Sequence, residues 1–101
     1  MKSSDKESVQ LLVAHCVANG MTKVVCSPGS RNAPFVIAFD EHPTIECFVV
    51  HDERSAAFFA LGMAQQLNEP VGIVCTSGSA SLNYYPAIAE AYYQSIPLIV
   101  I

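Results

Sequence analysis

Three short polar stretches hold the side chains that could do chemistry: "SPGSRN" (27–32), "HDER" (51–54) and "TSGS" (76–79). Arg31 has a planar fork that can grip a carboxylate or phosphate through two parallel hydrogen bonds. Glu53 stands where an apolar strand gives way to an Ala/Phe-rich helical run. A carboxyl group set between a helix amino terminus and an apolar wall suits proton exchange with a heterocyclic nitrogen. An acid at that position also does the plainer job of stabilising the helix dipole. Both readings are open on these residues alone.

Other familiar arrangements are excluded. "SPGSRN" lacks the GxxxxGK[ST] spacing of a phosphate loop, and the chain has no GxGxxG dinucleotide fingerprint. "CTSGS" is not the GxSxG elbow of a serine nucleophile. Local sequence leaves Arg31 equally suited to a solvated turn. His51 adjoins Asp52, but sequence neighbours need not face each other, and His15 and His42 read as a helix residue and a turn residue. Cys16, Cys26, Cys47 and Cys75 are widely spaced with no CxxC. Neither a metal site nor a disulfide framework is expected, and the four read as small buried hydrophobes.

The elements that must position these loops alternate. "SDKE" (4–7) has the spacing of a capping box. Val9, Leu12, Val13, Cys16 and Val17 follow at helical spacing, with Gly20 placed for a left-handed stop. Strands are expected at 23–26, 44–50, 71–76 and 97–101, and helices at 33–42, 53–68 and 79–94. Pro34 is tolerated in the first turn of its helix, whereas Pro86 should kink or restart the last one. Ala56, Ala57, Ala60 and Ala64 offer a small, closely packable helix surface. Strands alternating with helices give an α/β, doubly wound, mainly parallel sheet with flanking helices and right-handed crossovers. In such sheets ligands bind outside the carboxyl ends of the strands. All three polar loops leave that edge, where helix amino termini offer free N–H groups.

The totals set limits. The chain of 101 residues is 51% hydrophobic but only 14% charged, which leaves apolar surface uncovered in so small a body. A partner surface, or a place within a longer protein, is expected. The chain stops at Ile101, at the last residue of an apolar strand, which again suggests a piece of a longer chain. A net charge of −4 without basic runs argues against nucleic acid as the main ligand. The polar opening "MKSSDKESVQ" is no signal peptide, and no apolar run approaches the ~20 residues of a membrane span. A cytoplasmic, reduced protein is expected.

Taken together, "PGSRNAP", "HDERSAAFFALGMAQ" and "EPVGIVCTSGSASLNYYPAIAEAYYQSIPLIVI" resemble the N-terminal pyrimidine-binding domain of thiamine-diphosphate enzymes. The combination of "PGSR" with "DER" is most similar to the 2-succinyl-5-enolpyruvyl-6-hydroxy-3-cyclohexene-1-carboxylate synthase (MenD) family of menaquinone biosynthesis. Acetolactate-synthase-like 2-oxoacid lyases share the general pattern but usually show "YPGG" and a Glu followed by Gln or His. They are the second reading, and a non-catalytic α/β binding module is the third.

The resemblance implies that residues 1–101 are a partial pyrimidine-binding domain of a longer, oligomeric transferase. Central and diphosphate-binding domains would lie elsewhere, the latter holding the diphosphate and Mg²⁺ through a GDG…N motif absent here. Glu53 would hydrogen-bond the aminopyrimidine ring nitrogen and so let thiamine diphosphate deprotonate its own thiazolium carbon. 2-Oxoglutarate would then lose carbon dioxide, and the carbanion equivalent would add to isochorismate. Ser30 and Arg31 match substrate-contacting positions, and both substrates carry carboxylates. Thr76, Ser77, Gly78 and Asn83 match the segment lining the pyrimidine. The full site would form between two subunits, so this piece alone should not turn over.

Overall fold

The computed structural model describes residues 7–27, 32–75 and 82–101. Helices and strands alternate through them: α1 (Glu7–Ala18), β1 (Lys23–Cys26), α2 (Ala33–Glu41), β2 (Glu46–Val49), α3 (Glu53–Leu67), β3 (Val71–Val74), α4 (Tyr85–Gln94) and β4 (Leu98–Val100). The four strands form one parallel sheet in the order β2-β1-β3-β4. The expected α/β doubly wound class is therefore the observed one.

Strand residues point alternately to two faces, and each face has its own core. Val24, Cys26 and Val74 meet Val9, Val13 and Cys16 of α1 and Ala38 and Phe39 of α2. Val25, Val71 and Ile73 meet Ala56, Ala57, Ala60 and Ala64 of α3, with Tyr84 and Ala87 beside them. The four alanines are fully buried, so the small surface read from the sequence lets α3 sit close to the sheet. With both faces covered, the strands can be continuously apolar.

The helix stops follow from backbone chemistry. Gly20 takes φ +92°, Gly20 N–H bonds the Val17 carbonyl at 3.0 Å and Met21 N–H bonds the Cys16 carbonyl at 3.1 Å. That paired closure satisfies carbonyls that the end of α1 would otherwise strand. It also drives Met21 into the core, where it fills the space above Gly72 of β3. A Cβ built on Gly72 would stand 2.6 Å from Met21 Sδ and 3.2 Å from Val24 Cγ2. We expect Gly72→Ala to cost about 1–3 kcal/mol by overpacking, read from urea denaturation midpoints. Adding Met21→Ala should cost less than the two single losses summed, because the second change vacates the clashing space.

Several expected bounds are corrected. The fourth helix does not run as one piece from 79: the described helix starts at Tyr85, with Asn83 and Tyr84 in a turn and Pro86 in its first turn. Proline lacks the N–H that an interior position needs but is suited to a helix start, so Pro86 restarts the helix. The second and third strands close at Val49 and Val74, where the chain turns out of the ladder towards the polar loops. Asn68 takes left-handed φ 56° and ends α3 one residue before the expected bound. The capping box begins at Ser4, outside the described residues.

Outer surfaces stay apolar. Phe58 and Phe59 on α3, Leu82, and Tyr85, Tyr92 and Tyr93 on α4 are exposed, which accounts for the excess of apolar residues over what two cores consume. Among the described residues no helix is long and apolar enough to cross a membrane.

Candidate functional site

β1 feeds α2 on one face of the sheet, and β3 feeds α4 on the other. The two chains leave neighbouring strands towards opposite faces, and this switch point is where a ligand crevice is expected in such sheets. Ser27 and Cys75, the first residues beyond β1 and β3, form its two lips.

Ser27 ties the edge together. Its N–H donates to the Val74 carbonyl at 2.8 Å, its Oγ donates to the Val50 carbonyl at 2.8 Å, and its carbonyl accepts from Asn32 Nδ2 at 3.0 Å. One residue thus fastens the ends of β1, β2 and β3 and the start of α2. Both Ser27 and Asn32 are buried, so these bonds compensate polar groups that burial would otherwise penalise.

Glu53 opens α3 at the same edge and is half-buried. Its negative charge reaches Cys75, whose thiol is pushed up chiefly by burial, with Tyr84 pulling the other way and Glu53 adding to the rise. Glu53 belongs to the β2 arm and stands at the same carboxyl edge of the sheet as Cys75. Asn83 is half-buried, in the turn before α4. Ser30, Arg31, Thr76, Ser77 and Gly78 lie outside the described residues.

Asp52 has a different job from the one its neighbour His51 suggests. Its Oδ2 accepts from Ser55 N–H at 2.8 Å, capping α3, while His51 is exposed. The Ser55 hydrogen bonds hold the Asp52 carboxyl below the usual aspartate value of 3.8. A group lowered in the folded state stabilises fully above its unfolded value, and that contribution disappears as pH falls through the folded value. Wild type should therefore be more stable than Asp52→Asn above about pH 5, and the gap should close as pH falls through the lowered folded value. Thermal melts of both chains across that range check this.

Sequence reading missed two groupings. Cys26 and Cys47 sit on adjacent strands with Sγ atoms 3.2 Å apart, although all four cysteines are free thiols. The hydrogen bond between them lowers Cys47 and raises Cys26, with burial adding to the latter. Their register, not their spacing, brings them together. The second grouping is Tyr84, 1% exposed, whose Oη has no hydrogen-bond partner among the described residues. Burial pushes the phenol up, while the neighbouring Ser27 hydroxyl opposes that and Cys75 adds to it. The phenol thus sits between the two lips. The available signal was an aromatic residue two positions ahead of a helix-restarting proline.

A cavity of about 270 Å³ lies between α1 and the carboxyl end of α2, lined by Val13, Ala38 and His42 among others. It is at the far end of α2 from the crevice. His42 there is a turn residue, its Nδ1 accepting from Thr44 N–H at 3.2 Å.

A doubly wound parallel sheet with a carboxylate brought to its switch point defines an α/β domain built to hold a ligand at its carboxyl edge. Residues 6–101 match the family described as "Thiamine pyrophosphate enzyme, N-terminal TPP binding domain", and the chain belongs to that family. It is 59% identical over its whole length to the 2-succinyl-5-enolpyruvyl-6-hydroxy-3-cyclohexene-1-carboxylate synthase of Christiangramia forsetii, covering 18% of that protein. Over 97% of its length it is 54% identical to the synthase of the same name from Bacteroides thetaiotaomicron, again covering 18%. Benzoylformate decarboxylase from Polynucleobacter necessarius shares the fold, with a TM-score of 0.78 at 24% identity over 99% of this chain and 18% of that one. The chain thus spans less than a fifth of the relatives it matches.

Proposed function

We propose that this chain is the pyrimidine-binding part of a longer thiamine-diphosphate-dependent synthase that decarboxylates 2-oxoglutarate and adds the resulting unit to isochorismate. The observation that carries the reading is Glu53, a half-buried acid that opens α3 at the carboxyl edge of the parallel sheet. The similarity to synthases of that name supports the substrate pair.

The residues present fit the cofactor's aminopyrimidine. A flat heterocycle with a basic ring nitrogen needs one acidic partner and otherwise apolar walls. The edge offers a half-buried carboxyl group and the ends of two apolar strands. When bound, thiamine diphosphate supplies the carbon nucleophile and electron sink that decarboxylation needs. Glu53 would hold a proton at the ring nitrogen, and Asp52 would keep the α3 start fixed by its cap so that the carboxyl group stays aimed. Asn83, Thr76, Ser77 and Gly78 would line the ring from the β3 side. Ser30 and Arg31 would bind substrate, the guanidinium pairing with a carboxylate. Mg²⁺ and the diphosphate would be held by a part of the protein outside this chain, with a second subunit closing the site. Four free thiols suit a reducing, cytoplasmic setting.

The test is carbon dioxide release by the full-length protein with thiamine diphosphate, Mg²⁺, 2-oxoglutarate and isochorismate. Preference for pyruvate or 2-oxobutyrate over 2-oxoglutarate would favour an acetolactate-synthase-like enzyme instead. Arg31→Ala should raise the KM for substrate by about 30-fold or more, the loss of a bidentate charged contact, while thiamine diphosphate affinity changes little. A matching loss of cofactor affinity would move Arg31 out of the substrate site.

A further inference from the structure

Cys26 and Cys47 touch, and the function proposed for the carboxyl edge leaves them unused. Their Sγ atoms are 3.2 Å apart and share one hydrogen bond, and both are free thiols. They differ in access. Cys26, at the end of the inner strand β1, is fully buried in the core that holds Phe39, whereas Cys47 on the edge strand β2 is half-buried. The hydrogen bond favours the thiolate on Cys47, while burial and the charge of Asp40 oppose it. Thiolate character and access together select the sulfur that an oxidant reaches first.

Register explains why the pair rests as thiols. The ladder sets Cys47 opposite Val24, two residues before Cys26. Strands ~4.8 Å apart with a rise of ~3.3 Å per residue place the two Cα atoms about 8 Å from each other. A disulfide usually spans about 4.4–6.8 Å between Cα atoms. The sulfurs therefore meet by leaning together across backbones that stand too far apart, and linking them requires β2 to shift by about 1 Å or more. Among the described residues β2 has a single neighbouring strand, so the shift is open to it. Val50, three residues beyond Cys47, must absorb it: its N–H bonds the Cys26 carbonyl at 3.0 Å and its carbonyl accepts from Ser27 Oγ at 2.8 Å.

We propose that Cys26 and Cys47 form a reversible redox site, which a hydroperoxide oxidises to a disulfide that loosens the Ser27–Val50 tie. The Cys47 thiolate attacks one peroxide oxygen and the O–O bond breaks. The second oxygen leaves with a proton, as water when the oxidant is hydrogen peroxide, and Cys47 becomes a sulfenic acid. Cys26 sulfur then attacks Cys47 sulfur, the S–O bond breaks, and hydroxide leaves as water with the Cys26 proton. Two thiols lose two electrons, and one hydrogen peroxide becomes two waters. A small thiol restores the pair by exchange.

The experiment takes the reduced full-length protein, treats it with hydrogen peroxide, alkylates the remaining thiols and digests with trypsin. Cleavage after Lys23, Arg31 and Arg54 leaves Cys26 in peptide 24–31 and Cys47 in peptide 32–54, each the sole cysteine of its peptide. Mass spectrometry should find the two joined, two hydrogens lighter than their sum, and dithiothreitol should separate them. In Cys47→Ser the buried Cys26 should stay a thiol under the same treatment. Hydrogen exchange at the Ser27 and Val50 amides should be about three- to tenfold faster in the linked form, the effect of one weakened hydrogen bond. Both thiols surviving peroxide, or Cys47 passing to sulfinic acid without a link, would overturn the proposal. So would a link that forms equally well in urea, equal oxidation of Cys26 in Cys47→Ser, or unchanged exchange at Ser27 and Val50.

Discussion

Glu53→Gln in the full-length protein should lower kcat by about 10²–10⁴-fold, the range contributed by a positioned proton-transfer group, while thiamine diphosphate still binds and the fold persists. The structural reason for persistence is local. Glu53 is half-buried at the first turn of α3, and the cap that fixes this turn belongs to Asp52. Glutamine keeps the size and leaves that cap in place, so the change removes the carboxyl group's charge and its capacity to exchange a proton. Steady-state turnover, with circular dichroism to confirm helix content, checks it. Near-normal turnover would strip Glu53 of its assigned role and leave it as a dipole-stabilising acid.

The second large effect is on stability. Phe39 of α2 is fully buried against Val24 and Cys26 of the central strand. Truncating it to alanine removes its transfer energy and leaves a cavity, together about 3–5 kcal/mol. A domain of this size has about 5–15 kcal/mol in total, so the loss is a fifth or more of what holds it folded. Ile37, two residues away on the same helix, is exposed. Ile37→Ala should change stability by less than about 0.5 kcal/mol. Urea denaturation of the two variants side by side separates them. Comparable losses would mean that α2 presents a different face to the sheet.

The sheet was legible because its signals are strong and local. Short runs such as "KVVC" and "VGIV" could only be covered strands, and Gly20 and Pro34 marked helix bounds by backbone chemistry. Pro86 was legible as an interruption but not as a start, since kinking and restarting use the same residue. The carboxyl edge of the sheet was legible as three loops leaving it, and Glu53 was singled out by its place between an apolar strand and a helical run, while the role proposed for it comes from the family resemblance. Ser27 was read as part of a turn. Its three bonds run to residues as far as Val74 in sequence, and only strand order brings those carbonyls within reach. Tyr84 and the Cys26–Cys47 pair were hidden for the same reason. Which side chains meet across a sheet depends on register, which no single segment encodes.

Strand order also sets the sequence in which this protein can assemble during synthesis. The inner strand β1 precedes both of its partners, β2 and β3, in the chain, and every pairing is parallel. Parallel neighbours cannot close through a hairpin and must wait for a full crossover. No ladder forms until residues 46–49 have left the ribosome, and β1 stays open on its other side until 71–74 follow. At the ~5–20 residues per second of translation, that leaves Val24 and Val25 without sheet partners for seconds. During this interval the nascent chain has α1, with Val9, Val13 and Cys16, as its nearest apolar cover. That helix can cover only the Val24 and Cys26 face of β1, because Val25 packs on the opposite face against α3.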